Sequence, residues 1–245
     1  MTNRLISIVL PVYNQADHIT AIVDEYAAAL ARIPNPYEIL LVVNGSRDHS
    51  LAVCEDLAAK YSDPTRLVRV LHSEKGGWGL AVRLGLAAAH GDILCYTNSA
   101  RTSPKDLILH LLYAVANPDN VIKANRKIRD NWQRRIGSLV YNIEVRALFD
   151  VPYWDINGTP KVFPRPFEAL LHLQSDDDLI DAEFNAVCSR ERYPMLEVPL
   201  FATKRHGGQS TTNYNSAFKM YLGAYRLWQS MRAAGKLRRP NGDES

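Results

Sequence analysis

The sequence predicts an α/β fold, a mostly parallel sheet covered by helices on both faces and followed by a C-terminal helical extension. Three observations predict it. Short apolar runs alternate with amphipathic segments four times in succession along the first half of the chain. The first run, LISIVLPV, reads as a strand buried on both sides, as a doubly covered parallel sheet requires. The runs also end in polar or glycine-bearing stretches, and open α/β sheets bind ligands beyond the carboxyl ends of their strands.

The elements follow in order. Residues 5–12 are the first strand, and 16–33, ADHITAIVDEYAAALARI, form a helix with apolar residues at helical spacing. YEILLVVN (37–44) is a strand before a helix over 47–61. TRLVRVLH (65–72) is a strand before a helix over 78–90, and DILCYT (92–97) is the fourth strand. Pro104 opens a helix that runs to 117, at a position where its missing N–H costs nothing. NVIKANR (120–126) is a further strand, 132–149 a long helix, 158–165 an extended segment, 178–191 a helix and 195–204 a strand. A loop over 205–215 leads to a last helix, 216–239. The spacing divides the chain into a domain over 1–212, an amphipathic helix over 213–239 and a disordered tail over 240–245.

Composition limits the function classes. Of the 245 residues, 47% are hydrophobic and 22% charged, ordinary for a globular chain, and the net charge of +3 argues against a nucleic-acid partner. Cys54, Cys95 and Cys188 have no metal-type spacing and read as buried thiols of a reducing compartment. The N-terminal apolar run is too short for a signal peptide and is broken by Pro11, and no window reaches the length of a membrane span. These features predict a cytoplasmic protein whose membrane contact, where there is any, is peripheral and at the inner face.

The strand ends name the candidate site: Tyr13-Asn14, Asn44-Gly45-Ser46, Ser73 to Gly77, Thr97 to Arg101, and Asn125-Arg126. GGWGLAVRLG is not a dinucleotide fingerprint. Its third glycine position holds Val82, and no acidic residue closes the next strand.

Taken together, SIVLPVYNQADHI, EILLVVNGSRDHS, SEKGGWGLAVRLGLAAAHGDILCYT and ATKRHGGQS resemble family 2 glycosyltransferases of the GT-A (Rossmann-like) fold, in order and spacing, along roughly residues 4 to 212. The resemblance implies an inverting enzyme that uses a nucleotide-diphosphate sugar. It places the donor against Pro11, Tyr13, Asn14, Asn44, Ser46, Lys75, Gly76, Gly77, Asn98 and Ser99, with Tyr13 and Asn44 on the nucleoside. It also implies a late loop, Arg205, Gly208, Gln209 and Ser210, that closes over the phosphates. KANRKIRDNWQRRIGSLVYN, DINGTPKVFPR and DAEFNAVCSRERYPMLEVPL are similar to the subgroup that glycosylates polyprenyl phosphates, the dolichyl-phosphate mannose and glucose synthases. Arg126, Arg134, Arg135, Ser138, Lys161 and Arg165 match that subgroup's positions, as do Asp181 and Glu183. The acceptor so implied is a lipid-linked phosphate, with a glycan or small-molecule hydroxyl as the alternative.

The chain departs from the family where its metal-binding carboxylates stand. The D-D-G-S block reads Val43-Asn44-Gly45-Ser46 and the D-x-D block Thr97-Asn98-Ser99, in register because Pro104 stands at the family's downstream proline. Neutral Thr, Asn and Ser are poor ligands for Mg²⁺ or Mn²⁺. The residues therefore predict a metal-independent enzyme without a cofactor, Mg²⁺ or Mn²⁺ being the alternative. Arg101 stands in for the ion, supported by Lys75, Arg126, Arg134, Arg135 and Arg205, and neutralises the leaving diphosphate. The rival reading is an inactive relative that binds a nucleotide or sugar. Asp181 is the general base for an acceptor hydroxyl and Glu183 the spare, although two residues apart on a helix they face different ways. A lipid phosphate needs no base, being ionised already. The last helix carries Tyr221, Leu222, Tyr225 and Trp228 with Arg226, Arg232 and Lys236; its partners are its own domain, a second copy in a homodimer, or an anionic membrane surface.

Overall fold

The computed structural model describes residues 4–126, 132–200 and 214–235. In chain order the elements are β1 (Ile6–Val12), α1 (Ile19–Leu30), β2 (Tyr37–Asn44), α2 (Ser50–Lys60), β3 (Ser62–Asp63), β4 (Arg66–Ser73), α3 (Trp78–Ala88) and β5 (Ile93–Tyr96). They continue with α4 (Pro104–Ala116), β6 (Val121–Arg126), α5 (Trp132–Phe149), β7 (Lys161–Pro164), α6 (Ile180–Arg190), β8 (Met195–Leu200) and α7 (Tyr214–Ala233).

The strands form an eight-stranded sheet in the order β3-β4-β2-β1-β5-β7-β6-β8. β4, β2, β1 and β5 run parallel, as the four strand-helix repeats dictate. β7 is antiparallel to both its neighbours, β5 and β6, and so joins the parallel quartet to the parallel pair β6-β8. The two-residue β3 is an addition at the far edge that the apolar pattern does not mark.

Because side chains alternate along a strand, the sheet divides its apolar residues between two cores. Ile6, Ile8 and Leu10 of β1 face the core closed by α1, α2 and α4. Val9 faces the other, closed by α3, α5, α6 and α7. Each fully buried Ile, Leu or Phe contributes about 1.5–3 kcal/mol. α4 begins as the sequence predicts: the Ser103 hydroxyl accepts from the Asp106 N–H at 3.1 Å and Pro104 fills the first helical position. α7 packs on its own domain. Ala224 and Met231 join the second core, and the Tyr221 hydroxyl donates to the Gly137 carbonyl at 2.8 Å. The three cysteines are free and buried. Among the described residues no helix is long and apolar enough to cross a membrane.

Candidate functional site

The carboxyl ends of β1, β2, β4 and β5 share one edge of the sheet, where open α/β sheets form their ligand crevice, and the residues that end the strands bond to one another across it. Tyr13 stands just past β1 with 47% of its surface exposed, so its ring is not core packing. Asn14 takes a left-handed conformation at φ 49°, which asparagine tolerates. Its N–H donates to the Ser46 hydroxyl at 3.1 Å, and its side-chain oxygen accepts from the Arg47 N–H at 2.8 Å. Pro11 is buried inside β1 opposite Val42, at a level β5 no longer reaches, and belongs to the sheet rather than to the crevice surface.

Asn44 ends β2 and is only 3% exposed. Its Nδ2 donates to the Gly77 carbonyl at 2.9 Å, while its Oδ1 is buried without a partner among the described residues. An unsatisfied buried acceptor costs about 1–3 kcal/mol.

The glycines at the start of α3 correct an expectation. Gly76 and Gly77 are expected to allow close approach by a donor phosphate; the space beside Gly76 is open, but that beside Gly77 (φ 152°) is taken by protein. A Cβ on Gly77 would strike the Asp176 carbonyl, and one on Gly79 the Ser175 carbonyl. The Leu80 N–H donates to the Asp176 carbonyl at 2.9 Å, so loop 174–177 caps the helix. Arg83 pairs with the Asp176 carboxylate and donates to the Gln174 carbonyl at 3.1 Å. Glu183 holds the same loop from α6, its two oxygens accepting from the Gln174 and Ser175 N–H groups at 2.8 Å each. It is committed to that loop and is not a spare base. Asp178, in the same stretch, is pushed up to about 6 by burial and by the neighbouring Asp181 and Asp177. Lys75, on the β4 side, is exposed.

The turn after β5 is internally bonded. The Thr97 and Thr102 hydroxyls lie 2.6 Å apart, Ser99 donates to Gln15 Oε1 at 2.9 Å, and Asn98 Oδ1 accepts from the Ala100 N–H at 3.1 Å. Thr97 and Ser99 are buried; Asn98 and Arg101 are half-buried. Among the described residues no three His, Cys, Asp or Glu side chains come together as metal ligands.

On the opposite side of β5 lies a buried charged group. Lys161, at zero exposure, bonds Asp181 Oδ1 with its ammonium, and the Tyr96 hydroxyl donates to the same oxygen at 3.0 Å. The Lys161 Nζ lies 5.4 Å from the ring centres of Tyr96 and Phe184. Burial, against the opposing pull of Asp181, brings Lys161 down to about 8. Lys161 was assigned to phosphate, but a wholly buried, paired ammonium cannot reach one. Asp181 lies inside α6, one residue past its start, so it is not an N-cap. Arg126 grips Asp155 with Nε and Nη2 at 2.7 and 2.6 Å, and burial is more than offset by that carboxylate, which raises it further. Ser138 is half-buried on α5 and accepts from Asn142 Nδ2 at 3.4 Å. Arg134 and Arg135 fall in the first turns of α5, where the backbone alone is described; Arg205, Gln209 and Ser210 lie outside the described residues. Sequence reasoning missed Tyr96, Lys123, Asp155 and Glu197. A lysine in the middle of the apolar run VIKANR was the available signal.

The crevice and the fold agree with the comparisons. The chain is 27% identical over 209 residues to an undecaprenyl-phosphate 4-deoxy-4-formamido-L-arabinose transferase of Aeromonas hydrophila, covering 84% of this chain and 62% of that one. It is 26% identical over 214 residues to a protein of the same name from Pectobacterium carotovorum, covering 85% and 63%. It therefore spans somewhat under two thirds of the length of these relatives. Among solved structures, glucosyl-3-phosphoglycerate synthase of Mycobacterium tuberculosis superposes with a TM-score of 0.70 at 17% identity, over 97% of this chain and 81% of that one, in a complex with Mn²⁺, UDP-glucose and phosphoglyceric acid. The same enzyme with Mg²⁺ and UDP gives 0.70 at 18% identity, over 93% and 79%. These complexes correct the expectation of a site without a cofactor: the neighbouring proteins of this fold hold Mn²⁺ or Mg²⁺ with the nucleotide. Ser99 is buried and its hydroxyl is bonded to Gln15, which leaves the half-buried Asn98 Oδ1, a hard but uncharged oxygen, for an ion that draws most of its coordination from donor phosphates and water. The family model for glycosyl transferase family 2 matches residues 7–191, and the chain belongs to that family.

Proposed function

We propose that this chain transfers a sugar from a nucleotide-diphosphate sugar to a lipid-linked phosphate, with inversion at the anomeric carbon. The observation that carries the reading is Asn44. Its amide N–H is spent on Gly77, and its buried oxygen is left to accept an N–H from a nucleobase beside the exposed Tyr13 ring. The acceptor follows from the names of the relatives and from Asp181. The Asp181 carboxylate is buried and its Oδ1 already holds an ammonium and a phenol, which leaves little room for a hydroxyl's proton and favours a nucleophile that arrives ionised.

In this mechanism an oxygen of the acceptor phosphate attacks the anomeric carbon as the bond to the nucleoside diphosphate breaks, and the bonding electrons leave on the diphosphate. Positive charge builds on the sugar ring in the transition state, and the fixed negative charge of Asp181 opposes it. Arg101 and Lys75 take up negative charge on the leaving group, while Arg126 and Ser138 orient the acceptor phosphate. A divalent cation bound with the donor would supply further charge neutralisation at the diphosphate, and Asn98 Oδ1 would be this chain's oxygen ligand to it.

Two measurements test the reading. Thermal stability is recorded against nucleotide-diphosphate sugars with Mn²⁺ and with EDTA; a donor at about 100 times its Kd should add roughly 2.7 kcal/mol in Mn²⁺ and less in EDTA. Labelled sugar is then followed into polyprenyl phosphate. Product that is labile to mild acid, as a glycosyl phosphate is, supports the reading; transfer to a hydroxyl acceptor, or no donor shift in either condition, overturns it.

A further inference from the structure

The buried charges beneath the site are aligned by strand register. Tyr96 of β5 stands opposite Lys161 of β7, Lys161 opposite Lys123 of β6, and Lys123 opposite Glu197 of β8. Four polar side chains thus form one row across four strands, from the site to the sheet edge. Both lysines have zero exposure. Two adjacent buried ammonium groups repel, and each persists because a carboxylate answers it. Lys123 bonds Glu197 Oε1 at 2.7 Å, the Asp155 carbonyl at 3.2 Å and the Trp154 carbonyl. Glu197 also accepts from Asn125 Nδ2 at 3.3 Å. Lys123 is thereby drawn toward the edge strand. Lys161 is left to Asp181, with its like-charged neighbour behind it.

We propose that Lys161 and Tyr96 are positioning residues that fix the Asp181 carboxylate at the reaction centre, and that the Lys123–Glu197 pair keeps Lys161 turned toward it. This rests on the role given to Asp181 above. Both groups bond one oxygen, Oδ1, so the carboxylate is fixed in orientation as well as in place. The other charged or titratable groups near Asp181 are Arg126 from β6, Tyr141 from α5 and Asp178 on the preceding turn of its own chain. Oδ1 takes its hydrogen bonds from Lys161 and Tyr96 instead.

The test is the pH dependence of kcat and of the donor KM in four full-length variants: Asp181→Asn, Tyr96→Phe, Lys161→Met and the double variant Lys161→Met/Asp181→Asn. Positioning predicts a donor KM within about twofold of the parent in Tyr96→Phe and Lys161→Met, with kcat lowered roughly 10- to 100-fold. Losing the cation should also move the acid limb of kcat upward by about 1–3 pH units in Lys161→Met, and by less in Tyr96→Phe. The double variant should regain the thermal stability lost in Lys161→Met and remain inactive. A purely structural pair would lower stability and leave the acid limb where it was, which overturns the proposal. Where Lys161→Met does not fold, Tyr96→Phe decides by the same limb. Full activity in Asp181→Asn would remove the role of Asp181 itself; an inactive Asp181→Asn beside an unchanged Tyr96→Phe and Lys161→Met would overturn the positioning alone.

Discussion

Asn44 shows how one residue can be read twice. As a strand-end amide it is a sequence-level candidate for nucleoside contact, and its environment then divides its two functions: the donor is used by Gly77, and the acceptor is left. Asn44→Ala removes that acceptor and should weaken donor binding by about 1–1.5 kcal/mol, near tenfold in Kd by calorimetry. Asn44→Asp keeps the acceptor but sets a carboxylate oxygen against the Gly77 carbonyl, and should lower stability as well as donor binding. Lys161 carries a prediction about stability. Removing it alone leaves the Asp181 carboxylate buried without its cation and should cost about 3–5 kcal/mol, most of it regained when Asp181→Asn is added. Its folded value of about 8 lies below that of a free lysine, near 10.4, so between those values the unfolded chain holds the proton that the folded chain has shed. Stability of the parent relative to the double variant should therefore rise from pH 8 toward 10, as urea midpoints would report.

At the scale of elements, the alternation of apolar runs and amphipathic helices marks every long strand and helix, because burial on both sheet faces writes itself into composition. The direction of β7 is not written there. A strand of four residues, KVFP, is equally apolar in either direction, and only its neighbours set it antiparallel. Gly77 was legible as a place of close approach, but what approaches it comes from a loop a hundred residues later in the chain, which no local pattern reveals. The same holds for Glu183, whose acidity suggests chemistry until its bonds to the Gln174 and Ser175 N–H groups are seen. Glu183→Ala should cost about 1–3 kcal/mol through those unpaired N–H groups and leave the acid limb of kcat in place. Arg101 and the turn 97–101 were legible as the point of departure from the family, but the Mn²⁺ or Mg²⁺ that neighbouring proteins of this fold hold was not. Neutral side chains exclude a carboxylate cage without saying what the donor's own phosphates bring.

Across the whole molecule, α7 belongs to the core that closes the far side of the sheet. Deleting residues 214–235 uncovers the neighbours of Ala224 and Met231 and the Gly137 carbonyl that Tyr221 satisfies. Such a truncation should lose several degrees in Tm, or fail to unfold cooperatively, even though the crevice lies elsewhere. The strand order has a last consequence, in time rather than in space. β1, β2, β4 and β5 can pair as they emerge from synthesis, each next to a strand already made or soon to follow. β6 cannot join them. Its place beside β5 is held for β7, which is synthesised later, and its buried Lys123 has no carboxylate until β8 arrives later still. The half of the sheet that holds the charged row therefore assembles last, and a nascent chain stalled before residue 195 would hold Lys161 with its Asp181 but leave Lys123 without Glu197.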